Sequence, residues 1–178
     1  VAWVGTHHEA FLLGLEEGGP QEPLARIAFE KAGIAKPGVP LVMQAYSPEA
    51  EAALAAEAGR RGAKLIRRNR EWFAEIGDTI RYRDAQGSLE LPLPALPGAH
   101  QADNAALAVA MLWHQSALTV PREAMAQDIR SARWPARLQL LGPGPLTALA
   151  PGRCVWLDGG HNTDAGRAIA EFFRRPPL

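Results

Sequence analysis

Two apolar stretches that flank an amphipathic stretch constrain the fold of this chain most strongly. VPLVMQA (39–45) and AKLIRR (63–68) are typical of buried strands, and SPEAEAALAAEAGR (47–60) has the composition and spacing of a helix. Ser47 is suited to cap that helix at its start, and Gly59 is suited to end it. Because a strand, a helix and a strand in this order form a βαβ unit, the sequence predicts an α/β fold with a parallel sheet covered by helices.

The rest of the chain adds further elements of both kinds. VAWV (1–4) is typical of a short buried strand. DTIRYRDAQGSLELPLPAL (78–96) alternates apolar and polar residues on both sides of DAQG, which predicts a hairpin. The apolar spacing predicts helices at 100–115, 121–132 and 163–173.

A segment rich in Pro and Gly, RWPARLQLLGPGPLTALAPG (133–152), predicts a domain boundary near residue 131. Residues 1–130 would then form one unit, and residues 131–178 the beginning of another. The chain starts inside a predicted strand without a methionine and stops one helix after a strand. We therefore expect it to be a piece of a longer protein.

The composition argues against several classes of protein. A single cysteine, Cys154, cannot form an internal disulfide or a zinc site with several thiolates, which suits a reducing, cytoplasmic location. The formal net charge of +0 gives no general reason to bind nucleic acid or an anionic membrane, and no run of about 18 apolar residues occurs. The basic stretch RRGAKLIRRNR (60–70) is expected to be a solvated helix end and strand edge, so neither nucleic acid nor membrane is expected as a partner.

The stretch VWLDGGHNTDAG (155–166) is the first candidate for a functional site. An apolar strand ends in Asp158, two glycines, His161 and Asn162, and a predicted helix follows. In open α/β folds ligands bind beyond the carboxyl ends of strands, and free helix N–H groups favour anions. The alternative is a turn that Asp158 and Asn162 merely cap, and the residues alone favour neither interpretation.

Asn104 is the second candidate, in the predicted helix GAHQADNAALAVAM (98–111). It lies on the apolar face formed by Leu107, Ala108 and Met111. A buried carboxamide needs partners for its donor and its acceptor, which an adenine edge or another amide-like ligand would supply. The alternative, which the sequence alone favours, is that Asn104 bonds to nearby backbone in the first turns.

Lys31 interrupts the helical pattern of LARIAFEKAGIAKPG (24–38). Leu24, Ile27 and Ala28 form an apolar stripe, and Lys31 occupies its next position. A lysine there either has a function or extends along the apolar surface to reach solvent.

The histidines give no zinc pattern. His7 and His8 would point to opposite sides of a strand, so they cannot form a paired metal clamp, and His100 and His114 add no suitable spacing. One of the first two could be a ligand, but a lone histidine is more often a structural hydrogen-bonding group. The phosphate-binding motif GxxxxGK[ST] does not occur in the sequence.

Four motifs in a fixed order resemble the folylpolyglutamate synthase/dihydrofolate synthase family, a branch of the Mur ligase superfamily. They are IAFEKAGIAKPGVP (27–40), LPGAHQADNAALA (96–108), RWPARLQLL (133–141) and WLDGGHN (156–162). The resemblance implies that residues 1–130 are the second half of a P-loop ATPase-type parallel-sheet domain with a β-hairpin. Residues 131–178 would begin a Rossmann-like C-terminal domain, with the active site between the two.

The resemblance also implies a metal site. Lys31 matches a lysine that is carbamylated on its side-chain nitrogen, and His8 matches a histidine that binds magnesium. Lys31 would thus be both a catalytic residue and, with His8, a metal ligand. The sequence departs from the family at His7, where the family has Asp.

The remaining implied roles concern the nucleotide. Asn104 and Arg137 match positions that contact ATP, and Asp158 matches an acid that contacts the nucleotide from the C-terminal domain. His161 lies in the same loop, near the reacting groups, and is a candidate catalytic residue. A family glycine is replaced here by Ala136.

The implied activity is that of an ATP-dependent amide ligase. It would add L-glutamate to dihydropteroate or folylpolyglutamate through an acyl phosphate, with ATP and Mg²⁺ as cofactors. Dihydropteroate or folate, L-glutamate and ATP would be its small-molecule partners, and the intact protein would be a monomer. The piece alone is expected to be inactive, because the family's phosphate-binding loop would precede it. The alternatives are another Mur-type amino-acid ligase, against which EKAGI argues, and a non-catalytic nucleotide-binding paralogue.

Overall fold

The computed structural model describes residues 22–174. The helices in this range are α1 Pro23–Ala32, α2 Pro48–Arg60, α3 His100–Trp113, α4 Arg122–Ser131, α5 Pro145–Ala148 and α6 Thr163–Arg174. The strands are β1 Leu41–Met43, β2 Leu65–Arg67, β3 Trp72–Ile76, β4 Ile80–Asp84, β5 Gly87–Leu91, β6 Gln139–Leu140 and β7 Trp156–Leu157. The predicted strand VAWV lies outside the described residues, and no described helix has the length and apolar character to cross a membrane.

The predicted βαβ unit is confirmed. β1 and β2 are parallel, with Val42 opposite Ile66, and α2 connects them. The Ser47 hydroxyl caps α2 by accepting from Ala50 N at 3.4 Å. The predicted end at Gly59 is wrong by one residue, because the helix continues to Arg60 and the chain reverses at Gly62, which has a φ of +68°.

Small side chains pack α1 against α2. Ala28 and Ala32 of α1 lie in one buried cluster with Ala50 and Leu54 of α2 and with Met43 of β1. The buried face of α1 therefore includes Ala32, whereas the apolar stripe in the sequence had placed its next position at Lys31. Alanines at such a contact let two helix backbones approach closely.

An antiparallel meander carries the largest core. β3, β4 and β5 pair in sequence order, which confirms the predicted hairpin and adds β3 to it. Trp72 of β3 is fully buried, stacks on Tyr82 at a centroid distance of 6.0 Å, and donates from Nε1 to Met43 O at 3.2 Å. Ala106 and Ala110 of α3 are fully buried in the same cluster. This core joins the meander, α3 and the parallel pair into one unit.

The C-terminal part has a sheet of its own. β6 and β7 pair antiparallel, with Leu140 opposite Trp156, and the short α5 lies in the connection between them. Trp156 contacts Phe172 and Phe173 of α6 edge to face. Within residues 132–174, Leu138 alone is buried. The packing that the described residues provide here is therefore much thinner than in the preceding unit.

The connection between the two parts contains backbone of unusual conformation. Ala136 and Leu138 have φ values of +56° and +45°, in the left-handed region that L side chains disfavour. Hydrogen bonds from other residues hold both in place. Ala136 O accepts from Gly159 N at 2.8 Å, and Leu138 N donates to Asp158 Oδ2 at 2.7 Å. The strain is thus maintained by bonds to the loop after β7.

We predict that Ala136→Gly stabilises the protein. Glycine adopts a positive φ without steric cost, while its larger conformational freedom in the unfolded chain offsets part of the gain, so the free energy of unfolding should rise by about 0.5–1 kcal/mol. Ala132 has a φ of −52° in the same connection, so Ala132→Gly is the matched control and should lower stability. Urea unfolding measures both, and a destabilised Ala136→Gly variant would contradict the prediction.

We also predict an acid-dependent contribution from Glu57. This side chain is 3% exposed and pairs with Arg60, through two 2.7 Å hydrogen bonds, and with Arg61. The hydrogen bonds from Arg60, then those from Arg61, lower the pKa of Glu57 from 4.5 to about 2. A lowered folded-state pKa stabilises the protein above pH 4.5 and loses this effect as the pH falls towards 2.

The measurement is urea unfolding of the wild type and of Glu57→Gln between neutral pH and pH ~2. The wild type should be the more stable at neutral pH, and the difference should shrink as Glu57 is protonated. A difference that stays constant over this range would show that the ion pairs of Glu57 do not cause it.

Candidate functional site

A cavity of about 650 Å³ is lined by α3 and α6. Leu107 and Met111 supply apolar surface from α3, and Ala165 and Ile169 supply it from α6. Polar groups from three loops complete the lining. They are Gln44, Tyr46, Arg137, Asp158 and His161. An apolar slot with a few convergent polar groups is the usual form of a small-molecule site.

Four of the residues singled out in the sequence line this one cavity. Asn104 comes from α3, Arg137 from the strained connection, and Asp158 and His161 from the loop after β7. Asn104 lies 33 positions before Arg137 in the sequence, so only the fold brings their side chains to one cavity.

The loop after β7 is built as a turn. Asp158 uses both carboxylate oxygens on backbone: Oδ1 accepts from Gly160 N at 2.6 Å, and Oδ2 accepts from Leu138 N. Asn162 Oδ1 accepts from Ala165 N at 2.8 Å and so caps α6. The two interpretations of this loop therefore do not exclude each other, because the turn that these side chains build also borders the cavity.

Close packing requires the second glycine of the loop, Gly160, and brings the first, Gly159, close to Arg137. A methyl group on Gly159 would lie 3.0 Å from Arg137 Nη1, and one on Gly160 would lie 2.7 Å from the Ala165 side chain. The exposed Arg137 guanidinium thus rests against bare backbone. It keeps most of its donors for an anionic ligand, since its Nη1 makes one long bond of 3.4 Å to Ala136 O.

Asn104 is exposed on the cavity wall, so its expected burial is wrong. α3 turns Ala106 and Ala110 into the core, which leaves Asn104 facing the open space. Its Nδ2 donates to Gln101 Oε1 at 3.2 Å, a side chain rather than the nearby backbone that the alternative had predicted. Gln101 is buried, and its Nε2 lies 3.0 Å from His100 Nε2. This chain of side chains leaves Asn104 Oδ1 and one N–H available to a ligand.

Sequence reasoning missed a second carboxamide, Gln44. It follows the carboxyl end of β1 and lines the cavity. Its Oε1 accepts from Arg68 Nη1 at 2.9 Å, and its Nε2 donates to Asp103 O at 2.8 Å. Its place one residue beyond a parallel strand was the signal that could have identified it.

Tyr46, also not predicted, adds a neutral hydroxyl. Burial raises the pKa of Tyr46 from 10.0 to about 12, so the phenol stays protonated at neutral pH. Tyr46 lines the cavity two residues after Gln44. The site thus combines amides, a phenol and a guanidinium around an apolar slot, which suits a planar nitrogen heterocycle that carries an anionic group.

Of the two predicted metal ligands, only Lys31 belongs to the described residues, and it does not line the cavity. His8 lies outside the described residues, and Lys31 is half-buried at the end of α1. Residues 22–174 contain no cluster of three or more His, Cys, Asp or Glu suited to a metal ion. His161 is exposed, with its Nδ1 3.1 Å from Gly159 O. The metal site stays a prediction.

The sequence of this chain is similar to those of dihydrofolate synthases and folylpolyglutamate synthases. The dihydrofolate synthase/folylpolyglutamate synthase of Bacillus subtilis is 30% identical over 161 residues, 85% of this chain and 36% of its own length. The enzyme of the same name from Escherichia coli is 37% identical over 145 residues, 80% of this chain and 31% of its own length. No family model matches the chain. The chain thus spans about a third of the length of these two relatives.

Solved structures agree with these relatives. Escherichia coli FolC in complex with DHPP and ADP has a TM-score of 0.73 at 31% identity, covering 99% of this chain and 38% of that one. The folylpolyglutamate synthetase of Lactobacillus casei has a TM-score of 0.63 at 28% identity, covering 84% of this chain and 38% of that one. Over the length that it shares with these proteins, the chain belongs to the folylpolyglutamate synthase/dihydrofolate synthase family.

Proposed function

We propose that this chain is the nucleotide-binding segment of an ATP-dependent ligase that adds L-glutamate to dihydropteroate or to a folylpolyglutamate. The observation that carries the proposal is the common cavity of Asn104, Arg137, Asp158 and His161. Structures of relatives contain ADP, AMPPCP with folate, or Mn with AMPPNP and L-glutamate. The chemistry of the cavity suits the adenosine part of such a nucleotide.

The apolar slot would hold the base and the amides would select it. Leu107 and Ile169 offer flat apolar contact from the two helices. Asn104 presents one acceptor and one donor, a pattern that matches the amino group and the adjacent ring nitrogen of adenine. Guanine offers a carbonyl where adenine has its amino group, so the Asn104 acceptor would face an acceptor.

Arg137 would bind the anionic part of the nucleotide. Its guanidinium fork forms charge-assisted bonds with phosphate oxygens, and its exposed position beside Gly159 leaves it accessible to them. Asp158 would act chiefly through the loop that it closes, because its two oxygens accept from Gly160 and Leu138. His161 stands exposed in this loop as the proposed catalytic residue nearest to the reacting groups.

ATP would supply the phosphoryl group that activates the acceptor carboxylate as an acyl phosphate, and Mg²⁺ would neutralise charge during the transfer. We propose Lys31, as a carbamate, and His8 as ligands of that metal, with Lys31 also catalytic. The support is the match of the EKAGI motif to this family and a relative that was solved with Mn. The described residues contain no cluster of three or more His, Cys, Asp or Glu suited to a metal ion.

The proposal includes an assignment of domains and of cellular location. Residues 1–130 would be the second half of the Mur ligase central domain, and residues 131–178 the beginning of its C-terminal domain. The end of α4 at Ser131 and the separate β6–β7 sheet support this division. The single Cys154 supports a cytoplasmic location, and we propose a monomer for the intact enzyme.

Activity is tested by phosphate release from ATP, measured for the full-length protein that carries this segment. Release should require both L-glutamate and a pteroate or folate acceptor. Release that is independent of the acceptor, or that needs a different amino acid, would overturn the assignment.

We predict that Asn104→Ala lowers the affinity of the full-length protein that carries this segment for ADP about 10-fold, because the paired contacts to the base are lost. Isothermal titration calorimetry measures the change. Gln127→Ala removes an exposed amide from α4, away from the cavity, and should leave the affinity unchanged. Equal binding of ADP and GDP by the wild type would contradict the proposed role of Asn104.

A further inference from the structure

The carboxamide of Gln44 has only one possible orientation. Arg68 can only donate hydrogen bonds, so the atom that faces its Nη1 at 2.9 Å must be the oxygen Oε1. The Asp103 carbonyl can only accept, so the atom that faces it at 2.8 Å must be the nitrogen Nε2. The usual uncertainty between the two ends of an amide does not arise here.

Arg68 itself, which follows β2, is held by contacts from three other elements of the fold. Its Nη1 also binds Asp103 Oδ1 at 2.6 Å, its Nη2 donates to Ala74 O at 3.2 Å, and its guanidinium lies 5.6 Å from the centre of the Trp72 ring. The side chain is 17% exposed. These contacts join the ends of β1 and β2 to β3 and to α3, so Gln44 is attached to a rigid support.

One polar hydrogen of Gln44 is not used by these contacts. An amide nitrogen carries two hydrogens, and the bond to Asp103 O uses one of them. Gln44 lines the cavity, and the carbonyl that it binds belongs to Asp103. The next residue in the sequence, Asn104, lines the cavity too. Two carboxamides therefore border the same space, and the orientation of one of them, Gln44, is fixed by its partners.

We propose that Gln44 is a second base-recognition residue and that Arg68 is its positioning residue. The free N–H of Gln44 donates to a ring nitrogen of the adenine base other than the ring nitrogen that Asn104 contacts. The inference rests on the proposed adenine nucleotide and deepens it, because it assigns specificity to two side chains. A group that is held before the ligand arrives loses little conformational entropy on binding, which favours both affinity and discrimination.

A purely structural role for Gln44 predicts something different. If its amide only connects Arg68 to α3, its removal weakens the binding of every ligand by a similar factor. If its N–H binds one ring nitrogen, its removal weakens only those ligands that possess this nitrogen. A series of analogues separates the two cases.

The test compares the full-length wild-type protein that carries this segment with its Gln44→Met variant, which keeps the length of the side chain and removes the amide. The ligands are ADP and analogues of ADP in which one ring nitrogen at a time is replaced by C–H. We expect Gln44→Met to lower the affinity for ADP about 5- to 10-fold and to leave the affinity for one analogue unchanged. An equal loss for all analogues, or no loss for ADP, would overturn the inference.

Arg68→Lys tests the positioning role. Lysine keeps the charge but cannot bridge Gln44 and Asp103 with a planar fork. Arg68→Lys should show the same dependence on the analogue as Gln44→Met, and the two changes together should cost no more than one of them. Additive losses would overturn the coupling, and thermal unfolding of each variant checks that it is folded.

The outcomes also separate this inference from the function on which it rests. If the wild type binds none of the adenine nucleotides, both fail. If the wild type binds ADP and Asn104→Ala weakens it, but Gln44→Met does not, the proposed function stands and the role of Gln44 is excluded.

Discussion

The burial of one face of α3 determines the site. Ala102, Ala106 and Ala110 are small enough to seat this helix on the meander, against the fully buried Trp72. That contact fixes the rotation of the helix about its axis, and rotation decides which side chains face outward. Asn104 and Ala108 face the cavity because the three alanines on the other face of α3 are buried in the core. Larger residues at the alanine positions would move the helix, and the cavity wall would move with it.

Local patterns predicted much of the fold where packing and periodicity agree. The βαβ unit, the β4–β5 hairpin and the long helices follow from apolar spacing and caps. β3 was missed because Trp72 is buried, whereas Phe73 faces outward, with the guanidinium of Arg83 4.1 Å from its ring centre. An apolar residue on both faces hides the alternation that marks a strand. α5 was missed because its four residues lie in a stretch that prolines and glycines dominate.

The site was predictable only in its separate parts. Asp158 and His161 were visible because they follow an apolar strand, and Asn104 because it interrupts an apolar face. That Arg137 shares a cavity with them depends on tertiary packing, and its role was inferred from resemblance. The place of Gln44 one residue beyond β1 could have marked it as a candidate, but its contact with Arg68, 24 positions later, is expressed by no local pattern. The roles of His8 and Lys31 stay predictions, since the cavity does not include Lys31 and His8 lies outside the described residues.

The uneven packing of the two cavity walls has a thermodynamic consequence. α3 is anchored in a dense core, whereas Leu138 is the one buried side chain among residues 132–174, and α6 buries none of its own. A ligand between them supplies apolar surface that α6 does not obtain from its described neighbours. Binding of the proposed nucleotide would therefore remove apolar surface of α6 as well as its own from water, with a heat-capacity decrease larger than the surface of the ligand alone explains. The nucleotide would then act as a component of the core of the C-terminal part.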